Sequence, residues 1–180
     1  MEEHVILVDQ DDMPMGKMEK LEAHQKGVLH RAFSIFIFND NNELLIQQRA
    51  KNKYHSGGLW TNTCCSHPRE GESNLDAAKR RLEEEMGMSC ELVYGFNFLY
   101  KARFEDGLTE HELDHVFFGK SNKLPVINKT EVEDFRYIKL EDLKKDVEVN
   151  AAHYTPWLKI CLDRVIENTQ LIENKNGHTA

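Results

Sequence analysis

Apolar residues recur through RAFSIFIFND and ELLIQQR at alternating positions, and the Asn-rich DNN between them supplies a turn, so these segments predict a β-hairpin. VILVD near the start predicts a short strand, followed by a turn at DDMPMG and a polar, helix-compatible KMEKLEAH. Leu75, Ala78, Leu82 and Met86 form a helical stripe; Ser73 is placed to cap that helix with Asp76 as capping-box partner, and Gly87 to stop it. ELVYGFNFLYKARF and EHELDHVFFGK predict two more strands, with Asp106-Gly107 near their turn. FRYIKL reads as another strand and EDLKKDV as a short helix. TPWLKICLDRVIENTQLI reads as a terminal amphipathic helix with Pro156 in its first turn. Between the hairpin and the capped helix runs a long loop, KNKYHSGGLWTNTCCSHPREGE, and loops of that length in a compact domain usually carry function. A sheet with a few helices predicts an α/β (α+β) sandwich, with one domain over residues 1–172 and a disordered tail at 173–180.

Composition narrows the class. At 180 residues, 40% hydrophobic and 30% charged, the chain has the make-up of an ordinary globular domain with a substantial core. No apolar run reaches the length of a membrane span and the start lacks a basic signal-peptide region, so no membrane association is expected and the cytoplasm is the default location. The net charge of -8 argues against nonspecific nucleic-acid binding, and an anionic ligand would need a local basic cluster. The four cysteines include an adjacent pair and no CxxC spacing, so they read as free thiols in a reducing compartment.

The candidate chemistry centres on TNTCCSHPREGESNLDAAKRRLEEEMGM, residues 61–88. Cys65 and His67 stand two apart just before an acidic helix, and carboxylates clustered near a helix end suit a divalent cation holding phosphates. The i, i+4 pairs Arg80–Glu84 and Arg81–Glu85 would equally suit a solvated face. His24 and His30 flank the start of the first long strand. In EHE, Glu110 and Glu112 project to one side of a strand and His111 to the other. A lone histidine is more often a packed or surface residue, but three imidazoles with two carboxylates would complete most of an octahedral shell for Mn²⁺, Mg²⁺ or Zn²⁺. Cys65 is either a small buried hydrophobe or a reactive thiol, with Cys64 the structural one of the pair. Arg49 and Lys53 are the best candidates for an anion clamp.

The 66–88 region resembles the Nudix box, its positions falling on Ser66, Glu72, Arg80, Arg81, Leu82, Glu84, Glu85, Gly87 and Met88. Ser66 stands where the box has Gly, and Arg81 where it has a metal-binding Glu. That second departure disfavours hydrolysis and favours gripping a diphosphate intact. WTNTCCSHP, GESN, EHE and TPW, in that order, resemble the type I isopentenyl-diphosphate isomerase family over about nine-tenths of the chain. The resemblance implies a Nudix-type α/β/α sandwich with a mixed sheet, and the interconversion of isopentenyl and dimethylallyl diphosphate in isoprenoid biosynthesis. It also implies Cys65, Glu112 and Tyr100 as catalytic groups, and Lys20, Arg49, Lys53, Arg81 and Trp157 as substrate-binding ones. His24, His30, His67, Glu110 and Glu112 would hold one metal ion, and Glu85 a diphosphate-associated Mg²⁺. The expected partner is a small diphosphate, acted on by a monomer or weak homodimer. The competing expectation is a Nudix hydrolase of a nucleoside-diphosphate derivative.

Overall fold

A computed structural model of the chain describes residues 3–173. The first long strand, β3 (His30–Phe38), organises the sheet, which has nine strands among the described residues. β1 (His4–Val8) and β2 (Pro14–Glu19) form an antiparallel pair, and α1 (Lys20–Lys26) follows directly. The helix therefore starts later than KMEKLEAH suggests, because Lys17–Glu19 continue β2. The turn itself tightens onto residues 9–12, where the Asp9 carboxylate accepts from the Asp11 and Met13 amides and Asp12 adopts φ 64°.

The predicted hairpin of β3 and β4 (Glu43–Arg49) exists, but the two strands pair only next to the turn, at Phe38↔Leu44. Below that point the prongs part and the supposed loop enters the fork as two short strands. β5 (Trp60–Thr61) pairs with β4, and β6 (Cys64–Ser66) pairs with β3. Side chains fill in where backbone pairing is missing. Thr63 Oγ1 donates to Leu45 O on one prong (2.6 Å) and accepts from Ile37 N on the other (2.9 Å). Asn62 Nδ2 donates to Ile35 O (3.1 Å) and Cys64 O (2.8 Å).

The other edge of β3 runs parallel to β8 (Thr109–Lys120) from His30↔Glu112 to Phe38↔Lys120. β8 in turn pairs with β7 (Leu92–Arg103), and β9 (Val132–Lys139) pairs with β4. Residues 32–38 of β3 are all buried, so its pattern marks two covered faces instead of the single one a free hairpin would bury.

Phe33, Ile35 and Ile37 pack under α2 (Asn74–Met86) with Ala77, Ala78, Leu82 and Met86. Phe36 and Phe38 face the opposite layer, made by α3 (Leu140–Val149) and α4 (Pro156–Asn168) through Leu143, Trp157, Leu158, Cys161 and Leu162. This is the expected α/β/α sandwich around a mixed sheet. Ser73 caps α2, accepting from Asp76 N at 3.0 Å, and Gly87 ends it at φ 60°. The terminal helix divides at Thr169 into α4 and the short α5 (Gln170–Glu173). The expected tail lies outside the described residues from 174 onward, while Glu173 closes α5.

Candidate active site

Opening the fork seats Cys65 opposite Ser34, on the strand beside β3, while β8 carries Glu110 and Glu112 on the other side. Adjacent residues on a strand face opposite ways, and the two cysteines obey this. Cys64 packs into the α2-side core with its thiol 3.4 Å from Glu85 Oε2, whereas Cys65 turns to the other layer, where Trp157 lies. One cavity is lined by Lys20, Arg49, Lys53, Cys65, His67, Arg81, Glu85, Tyr100, Glu110, Glu112 and Trp157. The remaining two predicted residues, His24 and His30, are fully buried behind Glu112.

The imidazoles converge on Glu112 Oε1. His67 Nε2 lies at 3.0 Å, His30 Nε2 at 3.3 Å and His24 Nε2 at 3.9 Å. Backbone carbonyls fix two of the rings: Lys20 O accepts from His24 Nδ1 (2.7 Å) and Val28 O from His30 Nδ1 (2.8 Å). That leaves Nε2 of each ring with a free lone pair, buried and without a hydrogen bond. Uncompensated buried polar atoms are costly, and four ligand atoms of His24, His30, His67 and Glu112 within 4.8 Å of one another suit a divalent metal ion. Burial works against charge on Glu112, yet its contacts with the three histidines hold it well below the usual carboxylate range. At His30 burial is likewise outweighed by Glu112 and the pKa rises; at His67 burial prevails and lowers it to about 4.

Tyr100, across the β7–β8 ladder from Glu112, brings its hydroxyl to 2.7 Å from both Glu110 Oε2 and Glu112 Oε2. One hydroxyl hydrogen serves two carboxylates, so this trio shares a proton tightly. Burial, reinforced by both carboxylates, pushes the Tyr100 hydroxyl well up. Burial also raises the Cys65 thiol, against the pull of Arg49, whose Nη1 is 4.0 Å from Sγ.

Arg49 lies over the Trp157 ring at 5.2 Å, and Trp157 Nε1 donates to Asn62 Oδ1 (3.2 Å), the same asparagine that bridges the open fork. The cations around the cavity are counterbalanced by carboxylates. Lys20 pairs with Glu3 (3.0 Å), and Glu131 lies against Lys53 and 3.4 Å from Arg81. Arg81 also contacts Glu85, which is buried and accepts from Gln47 Nε2 at 3.0 Å. On the α2 face Arg80 pairs with Glu72 at 2.6 Å and Glu84 at 3.3 Å, while Arg81, which also reaches Glu84 at 2.8 Å, turns with Glu85 toward the site.

The NUDIX domain family matches residues 28–158. Isopentenyl-diphosphate Delta-isomerase 2 of Aromatoleum aromaticum is 54% identical over 166 residues, spanning 92% of this chain and 88% of that protein. Isopentenyl-diphosphate Delta-isomerase of Pectobacterium atrosepticum is 46% identical, spanning 96% and 97% of the two chains. The chain belongs to the isopentenyl-diphosphate Delta-isomerase family. Among solved structures, DR0079 from Deinococcus radiodurans superposes with a TM-score of 0.76 at 16% identity, covering 90% of this chain and 98% of that one. That likeness shows the fold.

For a chain of the isomerase family, three cavity-side residues went unassigned in the sequence reading. His55, in the turn before β5, lies against Glu110. Asp114 is the third acid on the Glu110–Glu112 face of β8 and accepts from Ser34 Oγ at 2.8 Å. Glu131 binds two of the predicted cations. The i+2 spacing in EHELD was a usable signal for Asp114. Neither of the others had one, because their partners are distant in sequence.

Proposed function

We propose that this protein is an isomerase interconverting isopentenyl diphosphate and dimethylallyl diphosphate by a 1,3-allylic proton shift. The observation that carries the reading is one cavity holding a thiol, a tyrosine–carboxylate trio and a cluster of cations. Lys20, Arg49, Lys53 and Arg81 bind the diphosphate, with Lys20, Lys53 and Arg81 exchanging their carboxylate partners for phosphate oxygens. This remote binding energy places the five-carbon tail between Cys65 and the Glu112–Tyr100 pair.

One of these groups delivers a proton to the alkene while the other removes one from the far side of the allylic unit, and the roles exchange with direction. Cys65 rests as a thiol, its pKa raised by burial, so it holds a proton at neutral pH. Protonation gives the tertiary carbon cationic character, and the Trp157 face contributes about 0.5–2 kcal/mol of stabilisation to it. The buried walls exclude water that would trap the cation. His24, His30, His67, Glu110 and Glu112 would hold a divalent ion, Mn²⁺, Mg²⁺ or Zn²⁺, whose charge makes a carboxyl proton on that face more acidic. Glu85 would hold Mg²⁺, which neutralises the diphosphate. Hydrolysis is disfavoured because Arg81 replaces a carboxylate of the Nudix box and the hydrolase reading leaves Cys65 idle.

Turnover of isopentenyl diphosphate in D₂O tests this. Deuterium should appear in dimethylallyl diphosphate, and free phosphate with no isomer would overturn the assignment. Cys65→Ala should lower turnover by about 10²–10⁴-fold with the fold intact; near-wild-type rates would remove Cys65 from the mechanism.

A further inference from the structure

The 51–58 turn folds back tightly on itself. A side chain at Gly57 would meet Lys51 O at 2.7 Å, and Gly58 adopts φ 78°. This turn presents His55, 8% exposed, to the interior, where its ring stacks on Tyr54 at 4.6 Å and neighbours Trp157 at 6.3 Å. One edge of the ring meets the anion clamp, with Arg49 Nη2 3.4 Å from both Nδ1 and the backbone oxygen of His55. The other edge, Nε2, is in contact with Glu110 Oε1. Ligand atoms of His24, His55 and Glu110 lie within 4.8 Å of one another, a second group beside the one around Glu112.

Tautomer logic separates His55 from the other rings. Backbone oxygens take the Nδ1 hydrogens of His24 and His30 and so free Nε2 to bind a metal ion. Arginine can only donate and a carboxylate oxygen accepts, so Arg49 beside Nδ1 and Glu110 beside Nε2 both favour the ring hydrogen on Nε2. A nitrogen carrying hydrogen is a donor and not a ligand. We propose that His55 is a positioning residue that donates through Nε2 to Glu110, fixing that carboxylate for the metal ion and linking it to the diphosphate-binding Arg49. The inference rests on the metal site proposed above.

Mn²⁺ affinity of the purified protein, measured by electron paramagnetic resonance of the free ion, tests it with no turnover involved. His55→Phe keeps the stacking and removes both nitrogens, and should weaken Mn²⁺ binding about 10–100-fold. His55→Gln restores a donor and should recover part of that loss. Unchanged affinity in His55→Phe, or no recovery in His55→Gln, would overturn the proposal. His67→Ala is the control: if it also binds Mn²⁺ like wild type, the metal site falls and the inference with it. Long-range ¹H–¹⁵N spectra of the Zn²⁺-loaded protein should show His55 protonated at Nε2, and a metal-shifted Nε2 would make it a ligand instead.

Discussion

At the scale of single residues, the Tyr100 hydroxyl stands out because two carboxylates lie 2.7 Å from it. Tyr100→Phe keeps the ring stacked on Phe98 at 5.5 Å and deletes only that hydroxyl. Turnover should fall about 10²–10⁴-fold with an unchanged melting profile if the hydroxyl takes part in proton transfer; a variant with full activity would make it a spectator. Much of this arrangement of side chains was legible in the sequence, for simple geometric reasons. Period-two alternation separates Glu110 and Glu112 from His111, and it separates Cys65 from Cys64. His55 was not legible, since its meaning depends on Glu110 and Arg49, which only the folded chain brings to either side of it.

At the scale of elements, α2 was readable almost to the residue because caps are local: Ser73 and Gly87 act on the chain next to them. The fork between β3 and β4 was not. Local pairing rules predict a full hairpin, and the rival pairing with β5, β6, β8 and β9 is decided by distant partners. Gly87→Ala should destabilise the fold by at least about 2 kcal/mol in denaturant titration. Its Cβ would meet Val126 O at 2.5 Å in addition to the cost of φ 60°. The β1–β2 turn is tied down by Asp12, which accepts from Arg31 Nε at 2.7 Å and lies 3.1 Å from His115 Nε2. Burial lowers the His115 pKa, against the pull of Asp12, so the folded protein binds that proton less tightly than the unfolded chain does. Its contribution to stability is full above about 6.5 and is lost as pH falls below that value. The gap between denaturant midpoints at pH 7.5 and 5 should therefore narrow in His115→Gln, His67 contributing the remainder in the same direction; an unaltered gap would exclude His115 as a source.

For the whole molecule, the sandwich follows from two-sided burial of β3, and the His/Glu group proposed to hold a metal ion sits where α1, β3, β6 and β8 meet. An ion held by His24 of α1, His30 of β3, His67 after β6 and Glu112 of β8 would fasten elements far apart in the chain, and would bind only when they are assembled. At a hundredfold excess over its dissociation constant, Mn²⁺ should add about 2.7 kcal/mol, or roughly 5–10 °C of melting temperature. Chelation should reverse the gain, and His67→Ala should abolish it. A melting temperature indifferent to metal in the wild type would count against the His/Glu cluster as a binding site.

The chain has two tryptophans, and their settings differ. Trp60 is half-buried under Arg136, 4.7 Å from its ring centroid, away from the cavity. Trp157 forms part of the cavity wall with Arg49 over its face. If a diphosphate draws Arg49 off the indole, as proposed, the electric field on that ring would change. With Trp60 replaced by Phe, the remaining emission would come from the cavity alone, giving an unlabelled optical signal of occupancy that needs no turnover.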